Sequence, residues 1–189
     1  VNNAGIQNNP VEIKNSIIKN IWGASGNAVG VESSSYVLMH NNMLSTFQKN
    51  GVRFVGSEGK FYGNTVRGDV VDGISRVQNL INLRSNSNVE IYNNTITNGL
   101  TSSPSSDTLF SPCIFVNAYP DGVTSRASIY NNDISFCDVG VIITTKLIAG
   151  DSSSATINNN NFHDLYLGIS FQQETGSGTI SGNSFTNVI

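Results

Sequence analysis

Short runs of alternating apolar and polar residues fill this chain, and no window keeps the period near 3.6 that an amphipathic helix needs. Six of the runs share one pattern: apolar, any residue, Asn or Gly, Asn, any residue, apolar. They are Met39-His40-Asn41-Asn42-Met43-Leu44, Phe61-Tyr62-Gly63-Asn64-Thr65-Val66, Ile91-Tyr92-Asn93-Asn94-Thr95-Ile96, Ile129-Tyr130-Asn131-Asn132-Asp133-Ile134, Ile157-Asn158-Asn159-Asn160-Asn161-Phe162 and Ile180-Ser181-Gly182-Asn183-Ser184-Phe185. A seventh, Ile13-Lys14-Asn15-Ser16-Ile17-Ile18, has Ser in place of the second Asn. Alternation predicts a short strand on each side, with one face buried. The Asn-Asn or Gly-Asn between them suits a tight corner, because both residues tolerate a left-handed backbone. A Gly followed by aliphatics comes after most runs: Gly30-Val31, Gly51-Val52, Gly73-Ile74, Gly140-Val141 and Gly168-Ile169. Cys113-Ile114 takes that place in the fourth repeat.

The fourth positions of the pattern fall at 16, 42, 64, 94, 132, 160 and 183, so the repeats run from 22 to 38 residues. Repeats that keep one corner while varying in length suggest stacked coils that take insertions at another corner. Seven coils at the ~4.8 Å spacing of neighbouring strands make a short solenoid. Identical Asn side chains on successive coils can then hydrogen-bond in a ladder. The expected inward ladder is Asn42, Asn64, Asn94, Asn132, Asn160 and Asn183. A β-sandwich would need hairpin turns and gives no reason for the repeated Asn.

These repeats resemble the pectin lyase-like superfamily of right-handed parallel β-helices, over nearly the whole chain. The resemblance implies an all-β, single-stranded right-handed solenoid over residues 1–189, with three strands per coil. It implies no single chemistry, since the superfamily includes polysaccharide lyases, glycoside hydrolases, uronate epimerases, phage tailspikes and surface adhesins. Function must be argued from a site. Gly5-Ile6 resembles the start of a strand and Val188-Ile189 stops where another should begin. The chain is therefore expected to be a fragment of a longer solenoid, or to stack end to end on a neighbour.

Composition narrows the partner. The 189 residues are 38% hydrophobic and 12% charged, with a formal net charge of −3. That gives apolar material for one core and no electrostatic support for a nucleic-acid groove or an anionic membrane. No apolar run approaches the roughly 18 residues of a membrane span. Asparagine, with 27 copies, is used far above the average, in keeping with its place in the repeat.

By the resemblance, active sites lie on the strand after the Gly-aliphatic signature and on its flanking loops. The outward positions there read Glu32, Arg53, Ser75, Phe115, Ile142 and Ser170. Glu32 is the one carboxylate in that row, whereas a calcium-dependent lyase needs clustered oxygen ligands. No cofactor is therefore expected, and Ca2+ stands only as an alternative without a carboxylate cluster to support it. The Asn-Thr-Asp and Gly-His-Gly signatures of polygalacturonase-type hydrolases are missing, as is the Asp-Pro-His of uronate epimerases. The remaining polar cluster places Lys49, Asn50 and Arg53 on the second coil and Asp69, Asp72 and Arg76 on the third. In a lyase, Lys49 or Arg53 would abstract the proton next to a uronate, and Arg76 would neutralise its carboxylate. The plainer alternative is a group of solvated ion pairs worth at most ~1 kcal/mol each.

A second candidate is the outer column Lys14, His40, Tyr62, Tyr92, Tyr130, Asn158, Ser181. Its Tyr62, Tyr92 and Tyr130 can stack on sugar rings, or merely on one another across parallel strands. The stretch Thr101–Arg126 reads as the largest insertion, able to wall a groove beside Phe115 or to cover apolar surface. His40 and His163 fall on distant coils, which argues against a zinc site or a Ser-His-Asp triad. Cys113 and Cys137 fall on adjacent coils, but Cys137 aligns with Phe47 and Leu165, which favours free buried thiols. Arg67-Gly68-Asp69 is read as a chance tripeptide and Asn93-Asn94-Thr95 as a sequon in letters only. Thr is too scattered along the sequence for a flat ice-binding array.

The functional expectation is a secreted, cell-surface or virion-surface module that binds a polysaccharide. Lyase chemistry on uronate-containing glycans stands ahead of glycoside hydrolysis and epimerisation. The alternative is a non-catalytic stalk, tailspike or adhesin segment, favoured by the shortage of carboxylates and by small outward residues such as Ser75 and Ser170.

Overall fold

The computed structural model describes residues 1–22, 26–33, 35–68, 78–99, 111–119, 123–145, 150–172 and 176–189. Among them are strands and no helices, in three parallel sheets. Sheet 1 holds β1 (Val11–Lys14), β4 (Tyr36–His40), β7 (Glu58–Tyr62), β10 (Asn88–Tyr92), β13 (Thr124–Tyr130), β16 (Ser152–Asn158) and β19 (Gly176–Ser181). Sheet 2 holds β2 (Ile17–Ile21), β5 (Met43–Phe47), β8 (Thr65–Arg67), β11 (Thr95–Gly99), β14 (Asp133–Cys137), β17 (Asn161–Leu165) and β20 (Ser184–Val188). Sheet 3 holds β3 (Asn27–Glu32), β6 (Asn50–Val55), β9 (Asn79–Arg84), β12 (Pro112–Ala118), β15 (Val139–Thr145) and β18 (Leu167–Gln172). Each coil adds one strand to each sheet in turn, and the seventh coil contributes β19 and β20.

Along the strands of sheets 1 and 2 inward and outward residues alternate through the core columns, so like stacks on like. Met39, Phe61, Ile91, Ile129 and Ile157 form one fully buried column in sheet 1. Leu44, Val66, Ile96, Ile134 and Phe162 form another in sheet 2.

The corner from sheet 1 to sheet 2 is the predicted one. Asn15, Asn41, Gly63, Asn93, Asn131, Asn159 and Gly182 all take the left-handed backbone, with φ between 52° and 63°. That turn sends the next side chain inward. Asn42 Nδ2 donates to Asn64 Oδ1 at 3.0 Å and to the Ile13 carbonyl at 2.9 Å, while Asn42 N–H donates to the same Oδ1 at 2.9 Å. The motif repeats through Asn94, Asn132, Asn160 and Asn183, so each buried carboxamide is satisfied by its neighbours.

A second ladder has no obvious sequence signal. Ser35, Ser57, Ser87, Ser125 and Ser153 are buried at the corner between sheets 3 and 1. Their hydroxyls cap loose carbonyls, Ser35 that of Glu32 at 2.8 Å and Ser153 that of Thr144 at 2.7 Å.

Three expectations need correction. The sheet 3 strand of the third coil begins at Asn79, because Ile81 and Leu83 continue the inward columns of Val52 and Phe54. Gly73-Ile74 is not its start, and Asp69, Asp72, Ser75 and Arg76 lie outside the described residues. The stretch Thr101–Arg126 is not all insertion, since it contains β12. Cys113 and Cys137 are not free thiols but a disulfide, with Cα atoms 5.7 Å apart. Alignment with Phe47 and Leu165 placed the Cys137 sulfur in the core correctly, but burial does not decide whether two facing sulfurs are bonded. Gly99, the partner of Cys137 in register, leaves the room: a Cβ there would stand 2.9 Å from Cys137 Sγ.

Two stability tests follow from these contacts. Asn132→Leu strands the Asn94 N–H and the Ile91 carbonyl, and should destabilise by about 1–3 kcal/mol in a denaturant titration. Cys113→Ser combined with Cys137→Ser should lose about 2–4 kcal/mol in the same measurement.

Candidate functional site

On sheet 3 the inward residues fix what faces out. Val52 and Phe54 point to the core from β6, so Arg53 projects outward; Ile81 and Leu83 do the same on β9 and turn Asn82 and Arg84 out. Register sets Arg53 beside Asn82, Asn82 beside Phe115, and Arg84 between Val55 and Asn117. The outer row is therefore Gly30, Arg53, Asn82, Phe115, Ile142, Ser170. Glu32 and Ser75 do not belong to it. Glu32 is one pair further along, opposite Val55. Because Gly30 has no side chain, Glu32 reaches back across that gap and its carboxylate pairs with the Arg53 guanidinium.

Beside the arginines lies a knot of amides. Asn50 Nδ2 donates to Asn27 Oδ1 at 2.6 Å, and Asn79 and Asn82 donate to Asn50 Oδ1 at 3.2 and 3.1 Å. Asn50, Asn79 and Asn82 are buried although they start from the outer half of the sheet. Arg84 lies 4.5 Å over the Tyr119 ring and has no carboxylate partner among the described residues. Burial holds its guanidinium below the ordinary range, and the like charge of Arg53 adds to that. Arg53 Nε, Arg84 Nε and Asn82 Oδ1 are buried without a hydrogen-bond partner. Two donors and one acceptor left bare so close together form a polar site that is not satisfied from within the described residues.

Of the other expected members, Lys49 sits at the corner before β6. Its N–H bonds the Gly26 carbonyl at 3.2 Å and its carbonyl takes the Asn79 N–H at 2.9 Å. Its ammonium makes no ion pair among the described residues. Phe115 is half-buried on β12, beside Asn82. Arg53, a guanidinium paired with Glu32, is suited to clamp an anion rather than to act as a base. Sequence reasoning missed Asn82 and Arg84 because the start of β9 was set several residues too early, and Tyr119 because it was read as part of the insertion over 101–126.

The outer column of sheet 1 is assembled as expected, but its rings face one another. His40, Tyr62, Tyr92 and Tyr130 stack with centroids 4.7, 5.0 and 4.8 Å apart and planes within 8°. Their inner faces are taken, so the strip presents edges and hydroxyls rather than platforms for sugars. Glu12 joins Lys14 at 2.6 Å and His40 at 2.8 Å; both bonds hold its carboxyl below the ordinary range. Glu90 joins Lys60 at 3.0 Å and accepts from the Tyr130 hydroxyl at 3.1 Å. Burial first, then that bond, pushes Tyr130 up to about 12.

Sheet 2 brings together a group that the sequence scatters. His163 Nδ1 meets Asp164 Oδ2 at 2.8 Å, and His163 Nε2 meets Asp133 Oδ1, one coil away, at 3.2 Å. The Asp164 bond is the main cause raising the imidazole above its ordinary value, with Asp133 adding to it. No group among the described residues has the make-up of a metal site. Of the short motifs, Gly68 is buried and Asp69 lies outside the described residues, while Asn93 is exposed at its left-handed corner.

A family model described as a right-handed beta helix region matches residues 1–128. No curated protein and no solved structure matches the chain.

The His163 geometry gives a pH dependence. A raised folded value stabilises fully below the unfolded value, near 6.5, and that contribution is lost as pH rises through the folded value above it. Thermal melts of the wild type should fall across this window. His163→Gln should flatten the profile there.

Proposed function

Because the chain belongs to the right-handed beta helix family, a fold that hosts many chemistries, we propose from the site itself that it binds an acidic polysaccharide along the outer face of sheet 3. The excess of cation there carries this reading. Arg53 and Arg84 stand on adjacent coils with Glu32 as their one described carboxylate, and each keeps a buried Nε–H without a partner among the described residues. Like charges on neighbouring strands repel, and each unsatisfied donor costs about 1–3 kcal/mol. A uronate carboxylate laid across β6 and β9 relieves both, since a guanidinium fork matches its two oxygens. Asn82 Oδ1 then accepts from a ring hydroxyl, and Phe115 borders the next unit. A linear polymer crossing the strands meets a new row of side chains every ~4.8 Å.

Eliminative cleavage is the finer form of this proposal. Lys49, as the neutral amine, would take the proton next to the uronate carboxylate while an arginine holds that carboxylate; the glycosidic C–O bond breaks as the C=C bond forms, and the departing oxygen takes a proton from solvent. Arg76, expected to neutralise the uronate carboxylate, and Asp72 both lie outside the described residues. A secreted or surface location accords with the buried disulfide, since such bonds persist in oxidising compartments. The second reading is a structural stalk, favoured by the outer face of sheet 1, where the rings and charges are satisfied by one another.

Arg53→Ala and Arg84→Ala should each weaken binding of uronate oligosaccharides by about 10- to 100-fold, the scale of a lost charged hydrogen bond. Binding should also fall with added salt. Ultraviolet absorbance of an unsaturated product tests cleavage separately. If no acidic polymer binds, the stalk reading replaces this one; if both variants bind as wild type does, the site lies elsewhere.

A further inference from the structure

The fourth residue of the sheet 2 strand takes a left-handed backbone in six coils: Asn20, Thr46, Asn98, Phe136, Asp164 and Asn187. Four of the six are Asn or Asp, which tolerate that conformation through their short polar side chains. Phe136 does not, and has φ of 50°. Nor is its ring buried in exchange, because Phe136 is 44% exposed. The backbone and the solvent both disfavour an aromatic at this place. A strained residue that packing does not reward is a pointer to function.

Its surroundings give the function a chemistry. The His163 ring meets Phe136 edge-on, with centroids 6.1 Å apart and planes at 82°. Asp133 and Asp164 hold that imidazole from two coils. Asn161 donates to Asp133 Oδ1 at 2.8 Å, and Asn187 donates to Asp164 Oδ1 at 3.0 Å. Asp133 Oδ2 has no hydrogen-bond partner among the described residues, and leaves an acceptor on a side chain 47% exposed.

The geometry points to a second carbohydrate subsite, on the outer face of sheet 2 across the fifth and sixth coils, that takes an uncharged pyranose. The C–H face of the sugar lies on Phe136, and neighbouring hydroxyls donate to Asp133 and Asp164. Two carboxylates against one imidazolium leave the patch negative, so a uronate is repelled here. This is the reverse of the Arg53 and Arg84 face. The subsite does not depend on the acidic-polysaccharide reading.

Titration of the protein with cellohexaose, xylohexaose and mannohexaose, followed by NMR, tests it, with an oligogalacturonate as the charged comparison. At least one neutral hexaose should shift the signals of Phe136 and His163, and the oligogalacturonate should not. Phe136→Asn should lose that binding by at least about 10-fold. The same variant should melt about 2–4 °C higher, since Asn accepts the backbone that Phe resists. Arg84→Ala should bind the neutral probe as wild type does, which separates this subsite from the sheet 3 site. The assignment is overturned if no neutral hexaose shifts these signals, or if Phe136→Asn binds unchanged. It is equally overturned if Phe136→Asn melts lower, because the ring would then be structural.

Discussion

Hydrogen bonding of one side-chain amide to the next coil sets the register of this molecule. From Asn42 to Asn160 each ladder Asn gives its Nδ2–H to the following Oδ1 and to a carbonyl of the preceding coil, so a coil displaced by one residue would leave a buried carboxamide bare. With register fixed at one corner, side chains of equal rank fall into columns on all three sheets. Every candidate site is a consequence of that alignment. Arg53 meets Asn82, Tyr62 meets Tyr92, and Asp133 meets His163 through strand neighbours rather than through sequence neighbours.

The three outer faces then diverge in charge. On sheet 1, Glu12, Lys14, Lys60 and Glu90 pair among themselves beside the stacked rings, which leaves little for a ligand. Among the described residues, sheet 3 sets Arg53 and Arg84 next to bare polar atoms, and on the fifth and sixth coils sheet 2 sets Asp133 and Asp164 about His163 beside an exposed aromatic. One scaffold thus presents surfaces of opposite preference without any change in its core.

The Asn corner was legible because its two requirements coincide in adjacent letters: a residue that accepts positive φ, then an amide that fits inward. The outer column of sheet 1 was legible for the same reason, standing two residues before that corner with no insertion between. Sheet 3 was harder to read, since its strands follow the corner of variable length. A Gly-aliphatic pair is a weak anchor there, and it put the strand of the third coil several residues early, hiding Asn82 and Arg84. The Ser ladder escaped notice because a lone Ser is ordinary in any loop, and its role depends on which carbonyl is left unpaired at that corner. The disulfide depended on a distance between strands of different sheets, which no spacing rule supplies.

That cross-link also changes how the solenoid would respond to a pulling force. Coils of a linear stack contact only their neighbours and can peel away one at a time from either end. The bond between Cys113 and Cys137 encloses a sequence separation of 24 residues spanning the fourth and fifth coils. Extension from both ends therefore cannot release that segment, and roughly 80 Å of contour stays locked while the bond is intact. Under tension the outer coils behave as expendable length and the middle of the molecule as a rivet.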